Sequence, residues 1–149
     1  MKIIIEPQNS IEELLVKILC KERNDEVDRL CHHIESYAQP LWADKDGAKH
    51  KLYETELYYA DTVEGKTFLY TETEVYETKD SLSFIEQILK GRQFVRISKN
   101  CIINIDYLQK VAPYTNHRLL AYMKNEEKLI VGRTYIQGLK NIVKKGSSL

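Results

Sequence analysis

Cysteine and histidine are the residue types in this chain that could bind a metal ion, and three of them are adjacent. Cys31, His32 and His33 fall in a segment whose apolar residues recur at helical spacing. Neighbouring positions on an α-helix point about 100° apart, so three consecutive side chains cannot all face one ion. The sequence has no second pair of such residues at zinc spacing. We therefore predict that the chain binds no metal.

Carboxylates could act as general acids or bases, and two pairs have the spacing of neighbours on one face of a strand. These pairs are Glu54 with Glu56 and Glu72 with Glu74. Alternation on a solvated strand explains both pairs equally well. The sequence contains no GxSxG, Walker, GxGxxG or HExxH motif. We predict that the protein is not an enzyme and uses no cofactor.

Basic side chains are concentrated at one end of the chain, although the 149 residues carry no net charge. Residues 90–149 contain 12 Lys or Arg and 3 Asp or Glu, a net charge of +9. Residues 1–40 and 41–89 carry net charges of −3 and −6. One basic region on an acidic body is typical of proteins that bind a polyanion such as nucleic acid. A solvated surface with internal charge balance explains the same composition.

Hydrophobic periodicity divides the chain near Pro40. Residues 2–5 and 15–20 predict two short strands, and Asn24 begins an amphipathic helix to about residue 37. This β-β-α segment, residues 1–39, is too small to bury its own apolar faces, which suggests a dimerisation or regulatory element. Residues 40–149 alternate with period two and are rich in Tyr, Val, Ile and Thr, which predicts a mainly β domain with short helices.

The N-terminus and the cysteines indicate the compartment. MKIIIEPQNS meets a charge and a proline after three apolar residues, so it is not typical of a signal peptide. No apolar run approaches the roughly 18 residues needed to cross a bilayer. The three cysteines are scattered and odd in number, which favours reduced thiols over a disulfide framework. We predict a cytoplasmic protein.

The sequence FVRISKNCIINIDYL, residues 94–108, is the most informative stretch. It resembles the central signature of LytTR DNA-binding domains, in which an Arg-containing strand, a polar loop and an apolar segment ending in Asn follow one another. A hairpin with acidic and aromatic residues precedes it at 57–72, and VGRTY at 131–135 leads into a final helix. The resemblance covers about 41–145 and implies an elongated, mainly β domain whose inter-strand loops enter successive major grooves of duplex DNA.

The resemblance carries three recognition positions onto this chain: the hairpin turn near Lys66, the polar loop at Lys99 and Asn100, and Arg133 at the start of the last helix. This chain differs from many relatives at three positions in or beside these: it has Ser98 in place of His, Asn100 in place of Ser and Gly132 in place of Ser. These differences put the base preference in doubt more than the fold. Arg can fork onto guanine and Asn onto adenine in the major groove. Without the resemblance, Lys66 and Lys99 would be ordinary solvated turn residues.

Two polar side chains of the signature lie between apolar neighbours. Arg96 alternates with Val95 and Ile97 on a strand, where it would contact either a DNA phosphate or an internal acid. Asn104 lies within an apolar run. We interpret it as a structural residue that hydrogen-bonds to the backbone rather than as a DNA contact.

The sequence therefore predicts a sequence-specific, double-stranded DNA-binding transcription regulator, working as a homodimer. The first forty residues are too short for a receiver domain, and the resemblance suggests a small membrane protein as a regulatory partner. A non-enzymatic, β-rich interaction module whose basic C-terminal face binds an acidic protein is the main alternative. A small hydrolase or ligand-binding domain is the third hypothesis, although the sequence shows no set of acidic and basic residues that would face one pocket.

Overall fold

The computed structural model describes residues 1–37, 40–91 and 93–147. Three α-helices and ten strands are formed in this part of the chain, joined in places by single 3₁₀ turns at Glu54–Glu56, Ile105–Tyr107 and Arg133–Tyr135. In chain order the elements are α1 (Asp25–Tyr37), β1 (Leu41–Lys45), β2 (Ala48–Leu52), β3 (Tyr59–Val63), β4 (Lys66–Tyr70), β5 (Val75–Thr78), α2 (Leu82–Ile88), β6 (Phe94–Ser98), β7 (Cys101–Asn104), β8 (Leu108–Tyr114), β9 (Arg118–Met123), β10 (Lys128–Val131) and α3 (Ile136–Ser147).

The strands form two antiparallel sheets. Seven strands make one sheet in the order β2-β1-β5-β4-β3-β7-β6, and three make a second in the order β10-β9-β8. The mainly β fold with short helices that the sequence predicted is confirmed. Tight turns join most neighbours, so each sheet is built from hairpins whose turns lie at its ends.

Two apolar cores hold these layers together. In the first, Leu82, Ile85 and Leu89 of the α2 region pack on the large sheet against Leu57 and Leu69. Ser81 caps α2, its side chain accepting a hydrogen bond from the Phe84 N–H at 3.1 Å. Such a cap contributes about 1 kcal/mol to helix stability.

The second core joins the large sheet to the small one. Ile97 and Ile103 of β6 and β7 pack with Met123 and Val131 of the small sheet and with Leu139 of α3. All five side chains are almost fully buried. Because this core includes β6, β7, β10 and α3, it sets the position of the β6–β7 turn relative to the start of α3.

The N-terminal segment differs from the predicted β-β-α arrangement. The helix is formed as α1, but the strands expected at 2–5 and 15–20 are not. Their apolar side chains are exposed, with Ile4 at 68% and Leu15 at 72% of full accessibility. An apolar run becomes a strand only beside a ladder partner, and the described chain offers these two runs none.

The α1 helix contacts the large sheet at the beginning of β6. The imidazole of His33 lies so close to Gly91 that a Cβ added to this glycine would lie 3.2 Å from His33 Cε1. Gly91 has a φ of +82° and ends the α2 region. The opposite end of β6, at Ser98, faces away from α1 and leads into the loop with the proposed recognition residues.

Candidate nucleic-acid interface

The turn between β6 and β7 carries Lys99 and Asn100. Ser98 pairs with Cys101, so Lys99 and Asn100 form the short, exposed connection between the two strands. The Asn100 N–H donates to Ser98 Oγ at 3.2 Å, and Arg96 Nη1 donates to the Lys99 carbonyl at 2.6 Å. The backbone of the turn is therefore held from both sides while the side chains of Lys99 and Asn100 extend into solvent.

Arg96 is engaged within the protein. Its Nε forms an ion pair with Glu86 of α2, and its side chain keeps 22% of its accessibility. Of the two contacts that the sequence left open for Arg96, the structure contains the internal acid. Arg96 therefore positions the Lys99–Asn100 turn, and a DNA contact from its remaining N–H groups stays a prediction.

The β3–β4 hairpin brings Lys66 to the same end of the large sheet. Glu64 and Gly65 form its two-residue turn with φ values of +51° and +78°, the combination that two-residue hairpins favour. Lys66 begins β4 directly after this turn and is exposed. The Thr62 N–H donates to the Asn100 carbonyl at 2.9 Å, which ties this hairpin to the β6–β7 turn.

Arg133 reaches the same region from the C-terminal part of the chain. The Gly132 N–H donates to the Ile97 carbonyl at 2.8 Å, so the residue before Arg133 is fixed to the end of β6. Arg133 itself lies in a 3₁₀ turn that precedes α3, rather than in the first turn of the α-helix as predicted. Its side chain is exposed.

The β8–β9 turn is a further basic feature next to Arg133. The recognition positions that the family resemblance implies do not include this turn. In the structure this turn, at Pro113, Tyr114 and Asn116–Leu119, lines one open cleft with Arg133 and with Ile136 and Lys140 of α3. The positive net charge of 90–149 was the available signal, but the neighbourhood of Arg118 and Arg133 depends on sheet register and could not be predicted from local sequence.

Two titratable groups lie near these turns, the partly buried Asp61 and the buried Cys101. Asp61 of β3 pairs in register with Cys101 of β7. Burial raises the pKa of the Asp61 carboxyl, and the neighbouring Tyr70 hydroxyl partly offsets this effect. Burial raises the pKa of the Cys101 thiol to about 12, with the Asp61 charge adding to the increase. Cys101 is therefore a protonated core residue at neutral pH rather than a reactive thiolate.

A model of the LytTR DNA-binding domain family matches residues 49–144, nearly two thirds of the chain. The chain belongs to this family. All five proposed site residues lie inside the matched LytTR segment: Lys66, Arg96, Lys99, Asn100 and Arg133.

Solved and curated relatives agree with the LytTR assignment. The fold resembles a LytTR DNA-binding domain of a Bacillus cereus response regulator, with a TM-score of 0.66, 20% identity, and coverage of 70% of this chain and 95% of that one. The sensory transduction protein LytT of Bacillus anthracis is 32% identical over 89 residues, which cover 60% of this chain. The transcriptional regulatory protein LytR of Staphylococcus aureus is 25% identical over 136 residues, 89% of this chain. The aligned region spans 36% of LytT and 55% of LytR.

The described residues form neither a metal-binding cluster nor a membrane-spanning helix. Among them, no three His, Cys, Asp or Glu side chains are grouped so that they could hold a metal ion. In the same residues, the helices are too short or too polar to span a bilayer.

Proposed function

We propose that this chain is a sequence-specific, non-enzymatic transcription regulator that reads the major groove of duplex DNA through its inter-strand turns, without a cofactor. One observation carries the proposal. Two backbone hydrogen bonds, Thr62 to Asn100 and Gly132 to Ile97, join the Lys66, Lys99–Asn100 and Arg133 positions at one end of the β fold. Three loops separated in sequence thus present a shared set of exposed cationic and amide side chains.

The side chains suit the edges of bases and the phosphates beside them. The Arg133 guanidinium can donate two hydrogen bonds to guanine O6 and N7, and the Asn100 amide can pair with adenine N6 and N7. Lys66 and Lys99 are point charges suited to phosphates or to guanine. Rigid strands hold these turns, so little conformational entropy is lost when they meet DNA.

Salt dependence provides the first test. Residues 90–149 carry +9, so binding should release counterions from several phosphates, and the logarithm of affinity should fall steeply and linearly with the logarithm of salt concentration. Titration of the full chain into a labelled duplex from the promoter of its own locus, at 50 to 200 mM salt, measures this slope. Lys49→Gln is a matched control, because Lys49 pairs with Asp44 at 3.2 Å in the acidic part of the chain and should not affect the slope. A flat response, or no binding at low salt, contradicts the proposal.

Binding of an acidic protein by the same basic surface is the second candidate. It accounts for the charge asymmetry and also predicts salt-sensitive binding. It does not require that turns of defined geometry meet at one end of the sheet. Selection of duplexes from a random pool separates the two candidates, because an interaction module would enrich no base sequence.

We further propose that residues 1–39 form a separate element through which the chain forms homodimers on paired half-sites. Apolar side chains at 3–5 and 14–16 are exposed, and α1 contacts the sheet near Gly91, at the end of β6 away from the recognition turns. Self-association there would leave the turns open to DNA. Contact with a second copy would also supply the strand partners that the two apolar runs lack.

Deletion of residues 1–38 tests the homodimer. The shortened chain should sediment as a monomer and bind a paired-site duplex on the order of 10²-fold more weakly, because the second half-site no longer benefits from tethering. Affinity for a single half-site should stay close to that of the full chain. Sedimentation of the full chain as a monomer at high concentration would rule out the idea.

The regulatory input and the compartment complete the proposal. The reduced, scattered cysteines are consistent with the cytoplasm, where a DNA-binding regulator meets its target. A small membrane protein as regulatory partner is proposed from the family resemblance.

A further inference from the structure

The cleft beside Arg133 is strongly basic. It has a volume of about 810 Å³ and lies between the β8–β9 turn, the 3₁₀ turn of Arg133 and the first turns of α3. His117, Arg118, Arg133 and Lys140 are among its lining residues, and none of the described residues that line it is a carboxylate. A concave surface with three permanent positive charges and no lining acid favours an anionic ligand.

Arg118 is held in place at one wall of this cleft. Its Nε and Nη2 donate to the carbonyl and to Oγ1 of Thr115, both at 3.0 Å. The guanidinium lies over the ring of Tyr114, with Cζ 5.1 Å from the ring centroid. Its Nη1 protons find no acceptor in the described part of the chain. The guanidinium is thus oriented before any ligand arrives and keeps donors available for one.

Lys140 and Arg133 complete the charged lining. Both are exposed, and neither forms an ion pair with any residue that the structure describes. Lys140 lies one helical turn beyond Ile136, so α3 presents it toward the cleft that Ile136 also lines. Three cations around one open space repel one another unless an anion lies between them.

We propose that this cleft binds a backbone phosphate of the duplex, next to the base that Arg133 reads, with Arg118 and Lys140 as its ligands. The inference rests on the proposed function. DNA is the favoured source of the phosphate because the cleft opens at the surface and shares Arg133 with the recognition turns. A duplex that contacts Arg133 would also lie next to the cleft, because Arg133 lines it. The β8–β9 turn then adds a second point of attachment that fixes the register of the protein on the DNA.

Charge-removal variants test the proposal in the full chain. Arg118→Gln and Lys140→Gln should each reduce the salt slope by about 0.9, which makes the loss of affinity between 50 and 200 mM salt about threefold smaller. The double variant should reduce that loss about tenfold. Base preference on a duplex selected from a random pool should not change, because a phosphate contact carries no sequence information.

Two further variants control for charge and for folding. Lys110→Gln removes one charge from the same hairpin, but the Lys110 ammonium lies over the Tyr122 ring rather than in the cleft, so the slope should fall by much less than in the cleft variants. Arg118→Lys keeps the positive charge but loses the two hydrogen bonds to Thr115. It should keep most of the salt slope of the wild type. An unaltered thermal midpoint in each variant shows that the hairpin remains folded.

Neutral phosphates locate the contact. Single methylphosphonate groups along the selected duplex should weaken wild-type binding at one or two positions flanking the base read by Arg133. At these positions the methylphosphonate groups should not weaken binding by the double variant, which has already lost the contact. If the double variant keeps the wild-type slope and methylphosphonate pattern, the cleft does not bind phosphate. Failure of the proposed function has a different signature: the wild type would enrich no sequence, whereas the slopes of the cleft variants can still be compared on any duplex.

Discussion

Replacement of Arg133 by alanine is expected to weaken binding to the selected duplex by about 1–3 kcal/mol and to relax preference at one base position. Arg133 is exposed, and the Gly132–Ile97 hydrogen bond fixes its backbone beside the Lys99–Asn100 turn. A guanidinium in a fixed position can form both hydrogen bonds to guanine, and no other base presents the same two acceptors. The measurement compares the affinities of wild type and Arg133→Ala for the selected duplex and for single-base variants of it, at one salt concentration.

Lys110→Ala is the comparison for Arg133→Ala. Lys110 lies on β8 away from the recognition turns, with its ammonium 4.6 Å from the centroid of the Tyr122 ring. Its loss should weaken binding slightly and equally on selected and scrambled duplexes, because it carries no base information. Equal losses on both duplexes for Arg133→Ala would mean that Arg133 only contacts the backbone. Base reading would then depend on Lys99 and Asn100 or on the turn at Lys66.

Asn104→Ala is expected to lower the free energy of unfolding by about 2–3 kcal/mol, because a buried carbonyl loses its hydrogen bond. Asn104 is 2% exposed. Its Nδ2 donates to the Leu57 carbonyl at 2.8 Å, and its Oδ1 accepts from the Asp106 N–H at 3.0 Å. These bonds join β7 to the segment before β3 and to the following 3₁₀ turn. Urea titration of wild type and variant measures the difference.

Asn100→Ala is the matched control on the same hairpin. The Asn100 side chain is exposed, so its loss should change the free energy of unfolding by less than about 0.5 kcal/mol. For DNA binding we expect the reverse of the stability effects. Asn100→Ala should alter affinity for the selected duplex, whereas Asn104→Ala, where it is folded, should keep the wild-type base preference. A variant at Asn104 as stable as the wild type would show that the two hydrogen bonds contribute little.

Sequence patterns were sufficient where the determinant is local. The Ser81 cap, the Glu64–Gly65 turn and the glycine that ends the α2 region each depend on residues close together in the chain. The structural role of Asn104 is also confirmed, because a polar residue within an apolar run must find a buried partner. The Asp46–Gly47 dipeptide, with φ values of +53° and +79°, is the same kind of signal for the β1–β2 hairpin, which the sequence reading missed.

Long-range contacts could not be predicted in this way. The apolar runs at 2–5 and 15–20 resemble strands locally, but strand formation requires a partner that the described chain does not provide. Arg96 could have faced an acid or a phosphate, and only the position of α2 selects Glu86. The neighbourhood of Arg118 and Arg133 depends on how the small sheet packs against β6 and α3. These features arise from tertiary packing rather than from any segment alone.

The hydrogen bonds that join the recognition turns have a consequence for how this protein can change its target. Both the Thr62–Asn100 and the Gly132–Ile97 bonds run between main-chain atoms, so the spacing of the turns does not depend on the identity of the side chains that they display. Under the proposed function, we therefore expect new side chains at positions 66, 99, 100 and 133 to alter the preferred operator without rebuilding the scaffold. A small set of exchanges at the turns would then let duplicated copies of such a gene diverge toward different promoters.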